Sequence, residues 1–171
     1  MFSLELSSQV SEYVRFHPAS SGRAIQRGLA LGWGETAYHL NQLVQDGTLD
    51  RVHGGRRDYY FAHELPAIDR PVVIALQNVI ERKILLALAR SEACTFMGLV
   101  ERVGEGKSTV AFHLKYMVAS GLVANLRTGT QRLYQVHNTE QIVRLYEDYR
   151  DSFEEGLGER FASTFGGLLR D

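Results

Sequence analysis

The chain is short of several things, and each shortage excludes something. Its 171 residues hold one cysteine, Cys94, so no internal disulfide can form. With histidines scattered as well, no structural zinc site and no other metal or cofactor is expected. Only three prolines occur. All sit at expected element boundaries, Pro18 after a first helix, Pro66 and Pro71 bracketing the stretch ELPAIDRP. No apolar run approaches the roughly 20 residues of a membrane helix. The start, MFSLELSSQ, lacks the basic and apolar regions of a signal peptide, so a cytoplasmic location is expected. An excess of basic charge is missing too: 19 Lys and Arg face 20 Asp and Glu, for a formal charge of −1. That balance at first argues against a nucleic-acid partner, because domains that bind nucleic acid are usually basic. What remains, 44% hydrophobic and 23% charged, is the composition of a globular protein of one sizeable or two small domains.

What the chain does have is an internal repeat. A shift of 74 residues lays ETAYHLNQLVQDGTLDRVHGGRRDYYFAH (35–63) over TVAFHLKYMVASGLVANLRTGTQRLYQVH (109–137) without a gap. Identities fall at Ala37/Ala111, His39/His113, Leu40/Leu114, Val44/Val118, Gly47/Gly121, Gly55/Gly129, Tyr60/Tyr134 and His63/His137. Tyr38/Phe112, Leu43/Met117 and Leu49/Val123 are conservative pairs. Glycines and apolar positions coincide, so the chain reads as two copies of one unit.

Each copy has the same coarse layout. In the second, Val79, Ile80, Ile84, Leu85, Leu88 and Ala89 recur at helical spacing. A second helix follows a cap at Thr95, with Leu99 and Val103 inward, and Gly104 and Gly106 break it. A third helix is expected to start near a capping Ser108 and to end at Gly121. Strands 122–126 and 132–136 flank the turn Arg-Thr-Gly-Thr. The first copy runs alike through Val10, Tyr13 and Val14, then Ile25 and Leu29, a helix from Thr36 to Gln45, and a hairpin turning at Gly54-Gly55. The expected organisation is a first domain over 1–65, a linker over 66–71, a second domain over 72–137 and a helical segment over 138–171.

Three helices followed by a β-hairpin make a winged helix-turn-helix unit, so the fold expected is mainly α with small hairpin wings. The stretch STVAFHLKYMVASGLVANLRTGTQRLYQV resembles the recognition helix and wing of the broad ArsR/MarR-like bacterial and archaeal regulators. The tandem arrangement looks like archaeal regulators that carry two such units in one chain. The resemblance covers about residues 7–63 and 79–137. It implies a DNA-binding transcription regulator acting on double-stranded DNA; a homodimer is expected from the C-terminal pattern described below. The cysteine-rich metal-sensing helix of some members is absent, so that activity is not implied, and no small-molecule effector is indicated.

Helical geometry sorts the third helix into two faces. Val110, Leu114, Met117 and Val118 form an inner stripe, and Ser108, Phe112, Lys115, Tyr116 and Ala119 face outward. The outward set of the first copy is Gly34, Tyr38, Asn41, Gln42 and Gln45. Asn and Gln suit adenine, and Lys suits guanine or phosphate. The outward aromatics Tyr38 and Phe112 suit thymine methyls or a packed neighbour. Arg51, His53, Arg56 and Arg57 on the first wing, and Arg127 and Arg132 on the second, suit phosphates. Lys107, Ser108 and Thr109 complete the candidate DNA contacts, and Arg23 and Arg27 are weaker ones.

Other signals are set aside. GEGKST (104–109) fails as a phosphate loop, because Glu101 stands where its first glycine should and a helix precedes it. The repeated His39 and His113 lie beside the inner stripe and read as packed structural groups. Cys94 reads as a small, partly buried hydrophobe. No nucleophile triad or carboxylate pair is assembled, so an enzyme is not expected. Beyond the second wing, Ile142, Leu145, Tyr146, Tyr149, Phe153, Leu157, Phe161, Phe165 and Leu168 form an amphipathic pattern with a break at Gly156 and Gly158. Leu145, Tyr149, Phe153, Leu157, Phe161 and Phe165 are the expected dimer interface, with folding back on the first unit as the alternative. Charge is unevenly spread: residues 1–70 carry a net −1, 71–137 a net +4 and 138–171 a net −4. From Gly106 to His137 there are four basic residues and no acid. The alternative function is a winged-helix protein-interaction module in a multisubunit assembly.

Overall fold

A computed structural model describes residues 2–154, which form two compact units. One comprises residues 2–70 together with 149–154; the other is Pro71–Asp148. In the first, α1 (Phe2–Phe16) precedes α2 (Gly22–Gly28) and α3 (Trp33–Gln45). The Ser21 hydroxyl caps α2 by accepting the Ala24 N–H at 3.2 Å. Strands β1 (Leu49–His53) and β2 (Asp58–Ala62) pair antiparallel, Leu49 opposite Ala62 and His53 opposite Asp58. Val10 and Val14 of α1, Ile25 of α2, Leu40 and Leu43 of α3, Leu49 and Tyr60 close the core.

The second unit opens with α4 (Arg70–Gln77) and α5 (Val79–Ala89), then β3 (Cys94–Thr95), α6 (Phe96–Val103) and α7 (Lys107–Ala119). Strands β4 (Val123–Thr128) and β5 (Gln131–Val136) follow, and α8 (Thr139–Asp148) packs on α5. The sheet order is β3-β5-β4, all antiparallel. Each unit is therefore a winged helix-turn-helix.

The 74-residue register reaches further than the aligned segments. Val10/Ile84, Val14/Leu88, Ile25/Leu99, Leu40/Leu114, Leu43/Met117, Leu49/Val123 and Tyr60/Tyr134 are all buried. The caps correspond as well, since Thr95 accepts the Gly98 N–H at 3.2 Å as Ser21 does that of Ala24. The isolated bridge Ser20–Tyr60 is the counterpart of the Cys94–Tyr134 pair. Cys94 is buried on that strand, as a small hydrophobe would be.

The structure departs from the sequence reading at several element ends. Helices α3 and α7 begin at Trp33 and Lys107, with Gly32 and Gly106 as extended caps that make no side-chain bond. Ser108 is therefore not a cap; the Gly106 carbonyl, which accepts the Val110 N–H at 3.0 Å, already starts the helix. The second wing pairs as far as Thr128–Gln131, so its turn is Gly129–Thr130, narrower than expected. Helix α4 starts inside the expected linker, and Asn78 then caps α5 by accepting the Ile80 and Glu81 N–H groups. The helical run past the second wing breaks at Tyr149, where α8 has ended. Gly156 and Gly158 lie outside the described residues.

One matched position differs in chemistry. Gly104 ends α6 in the left-handed region at φ 71°, while its counterpart Ala30 holds φ 53° with a Cβ. Ala30→Gly is expected to raise the stability of the first unit by about 0.5–1 kcal/mol, and Gly104→Ala to lower that of the second by about 1 kcal/mol. Urea unfolding followed by circular dichroism measures both.

Arg70 ties the end of the first unit to its wing. It donates to Asp50 Oδ2 at 2.6 Å and to the Leu65 carbonyl, while His63 bonds the same carboxylate oxygen at 3.0 Å. Burial pushes the Asp50 carboxyl up, but the Arg70 and His63 bonds outweigh it and hold the group below its ordinary 3.8. A carboxyl depressed in the folded state stabilises above its unfolded pKa and loses that contribution as pH falls through the folded one. Asp50→Asn should therefore lower Tm at pH 7 and have little effect near pH 2, so Tm against pH for the two proteins converges in acid.

Candidate nucleic-acid interface

The third helix of each unit is held on its inner side and free on its outer side. In α7, Val110, Leu114 and Met117 are buried and Val118 half-buried. Lys107, Ser108, Thr109, Phe112, Lys115, Tyr116 and Ala119 are exposed. In α3, Thr36, His39, Leu40 and Leu43 are buried, while Gly34, Tyr38, Asn41, Gln42 and Gln45 are exposed. The expected outward faces are thus the solvent faces in both units.

The repeated histidines fix α3 to α1 and α7 to α5. Ser7 and His39 Nδ1 hydrogen-bond at 2.8 Å, and His113 Nδ1 donates to Glu81 Oε1 at 3.0 Å. Ser7 and Glu81 are themselves matched by the 74-residue shift. Beside each histidine stands the exposed aromatic. Tyr38 meets His39 edge-on at 5.2 Å and Phe112 meets His113 at 5.3 Å. Phe112 also meets Tyr116 at 4.9 Å, one turn along the same face. These three aromatics keep 55–58% of their surface exposed, far from a core position.

The two surfaces differ in charge. Around α7, the exposed cations Lys107, Lys115, Arg127 and Arg132 make no ion pair among the described residues. Arg127 and Arg132 stand directly opposite each other in the β4–β5 ladder, hence on one face of the wing. Sequence spacing alone did not give that pairing, because it depends on the turn length. Like charges so placed repel, and an anion between them relieves the repulsion. In the first unit Asp58 takes up part of the wing's charge, bonding His53 at 2.7 Å and lying 4.0 Å from Arg51. Arg56 and Arg57 remain exposed at the turn. Arg23 stacks 4.0 Å over the Trp33 ring at the start of α3, a contact the sequence reading missed, and Arg27 is exposed. Glu35 in the first turn of α3 and Asp46 at its C-terminal cap make it the less cationic of the two.

The expected dimer residues fall in different places. Leu145 is buried on α8 in the second unit. Tyr149 is half-buried and Phe153 buried, both in the first unit. Leu157, Phe161 and Phe165 lie outside the described residues. Among the described residues, no group of three or more His, Cys, Asp or Glu could hold a metal, and no helix is long and apolar enough to cross a membrane.

Removing one wing arginine should separate folding from binding. Arg132→Thr is expected to raise Tm by about 1–3 °C at low salt and by less at 0.5 M salt, where the repulsion is screened. Differential scanning fluorimetry at the two salt concentrations reads this directly.

Two family models match the chain. An N-terminal HTH domain matches residues 5–73, and the arsR family of bacterial regulatory proteins matches residues 80–125. No curated protein matches it. Among solved structures, the homodimeric winged helix-turn-helix domain of Mb0332 from Mycobacterium bovis, a possible ArsR-family regulator, is 26% identical. That match covers 52% of this chain and 80% of that one, with a TM-score of 0.40. Reduced HlyU from Vibrio cholerae is 21% identical, covering 49% and 88%, at a TM-score of 0.40. The PcaV transcriptional regulator from Streptomyces coelicolor is 18% identical, covering 83% and 92%, at 0.37. With residues 5–73 matching a helix-turn-helix model and residues 80–125 similar to the arsR regulators, the chain is a tandem winged helix-turn-helix protein.

Proposed function

We propose that the chain is a sequence-specific DNA-binding transcription regulator of the cytoplasm whose second unit makes the principal contact. The observation carrying this reading is the acid-free stretch from Gly106 to His137, whose Lys107, Lys115, Arg127 and Arg132 are exposed around an outward helix face. A polar helix face of this kind enters the major groove, and cations beside it take the flanking phosphates. Lys107, Ser108 and Thr109 sit in the first turn of α7, whose unpaired N–H groups favour a phosphate. Asn41 and Gln42 of α3 suit adenine edges, and Arg51, Arg56 and Arg57 the backbone, in a weaker contact by the first unit.

Dimerisation belongs to this reading and is placed in the chain beyond Asp148, through Tyr149, Leu157, Phe161 and Phe165. Leu145 and Phe153 have little surface left to offer, being covered by the chain itself. The exposed aromatics favour a second reading, a protein-docking module, and one assay separates the two. Binding of the full chain to mixed genomic fragments is measured by fluorescence polarisation from 50 to 300 mM salt. For a DNA regulator log K falls steeply with log salt, and Lys115→Ala and Arg132→Ala each flatten the slope by about one unit. No retention, or a slope unmoved by both substitutions, sinks the DNA reading. Light scattering on the same samples gives the number of chains per complex.

A further inference from the structure

The centre of the outward face of α7 is occupied by a side chain that can neither donate nor accept a hydrogen bond. Phe112 lies opposite the buried Val110–Leu114–Met117 stripe, with Ser108 one turn before it, Tyr116 one turn after and Lys115 alongside. Its ring is 58% exposed and Tyr116 is 56% exposed, and the two meet edge to face at 4.9 Å. His113, bonded to Glu81, meets the Phe112 ring edge-on at 5.3 Å. The pair is therefore a preformed apolar step on an otherwise polar, cationic surface. The Phe112 ring at its centre has no hydrogen-bond role in water, and what meets it has to be both anionic overall and locally apolar.

The major groove offers one base-edge feature of that kind. Donors and acceptors line it from every base, and the C5-methyl of thymine is the apolar exception. We infer that Phe112, supported by Tyr116, reads thymine methyl groups in the major groove, so that the site under α7 contains thymine at the positions these rings face. The inference rests on the DNA reading above and adds to it the base chemistry that is recognised. Charge complementarity commits the surface to DNA: Lys107 and Lys115 stand on the same helix, Arg127 and Arg132 on the adjoining wing, with no acid from Gly106 to His137. The matched position in the first unit is again an exposed aromatic, Tyr38, there neighboured by Asn41 and Gln42. Amides that suit adenine beside a ring that suits thymine describe the two edges of A·T pairs.

The test removes the methyl and leaves the pairing. A random duplex library is enriched on the full chain, then amplified with dTTP or with dUTP, and the two pools compete for the protein at low salt, where phosphate contacts retain weakened variants. The wild type should prefer the thymine pool by roughly fourfold for each methyl contacted. Phe112→Ala should bring the ratio of the two pools close to one, and Phe112→Leu, which keeps an apolar side chain, should hold it between the two. Because the ratio is taken within one protein, partial loss of folded material does not alter it. Equal retention of both pools by the wild type, with its salt dependence intact, overturns the methyl reading and leaves DNA binding standing. A thymine preference undiminished in Phe112→Ala overturns the assignment to Phe112. Retention of neither pool overturns this inference together with the DNA reading beneath it.

Discussion

The inner face of the third helix carries the arrangement of each unit. Thr36, Leu40 and Leu43 of α3, and Val110, Leu114 and Met117 of α7, are buried as these helices pack on α1 and α5 respectively. Fully burying one such aliphatic side chain stabilises by about 1.5–3 kcal/mol, so the stripe alone fixes the rotation of the helix about its axis. A helix fixed in rotation has no freedom over which side chains it shows to solvent. The histidine bonds, His39 to Ser7 and His113 to Glu81, add a directional tether that hydrophobic packing lacks. Thr36 and Val110 illustrate how strict the repeat is: the two side chains have nearly the same shape, and the extra hydroxyl of Thr36 finds the Gly32 carbonyl at 2.9 Å.

On that common frame the two units present unlike surfaces. The second keeps its wing arginines unpaired among the described residues, whereas in the first Asp58 lies 4.0 Å from Arg51 and Asp50 holds Arg70. Neutralised charges of this sort order a wing against its own unit, and unpaired ones leave it available to an external anion. Overall neutrality and a locally cationic stretch are thus compatible, because the compensating acids come after residue 137 in sequence, outside the acid-free run from Gly106 to His137.

Much of this was legible in the sequence, for physical reasons that differ from residue to residue. The stripe in α7 could be read because helical period and burial are linked, and Gly47 and Gly121 marked the helix ends because their φ of 79° and 78° suits glycine. Thr95 was readable as a cap because hydroxyl caps have a local signature. Ser108 misled for the same reason: the hydroxyl is present, but the extended residue is Gly106, and backbone geometry decides. Helix α4 escaped notice because PVVIALQ is too short and too uniformly apolar to show a period. The Asp50–Arg70 pair spans twenty positions, and the cross-strand arginines depend on hairpin register. Neither has a local trace. The outward face of the candidate interface was fully readable, since exposure is the complement of a stripe that was already clear.

The division of the chain has a topological consequence. It leaves the first unit at Arg70, runs through the second, and returns to the first at Tyr149, where Ser152 and Phe153 are buried. The second winged helix is therefore an insertion within the first, attached at two points instead of hung from one linker. During synthesis the first unit also lacks Phe153, its last buried aromatic among the described residues, until the whole second unit has left the ribosome. The N-terminal module, first in sequence, is in this sense the last to be completed.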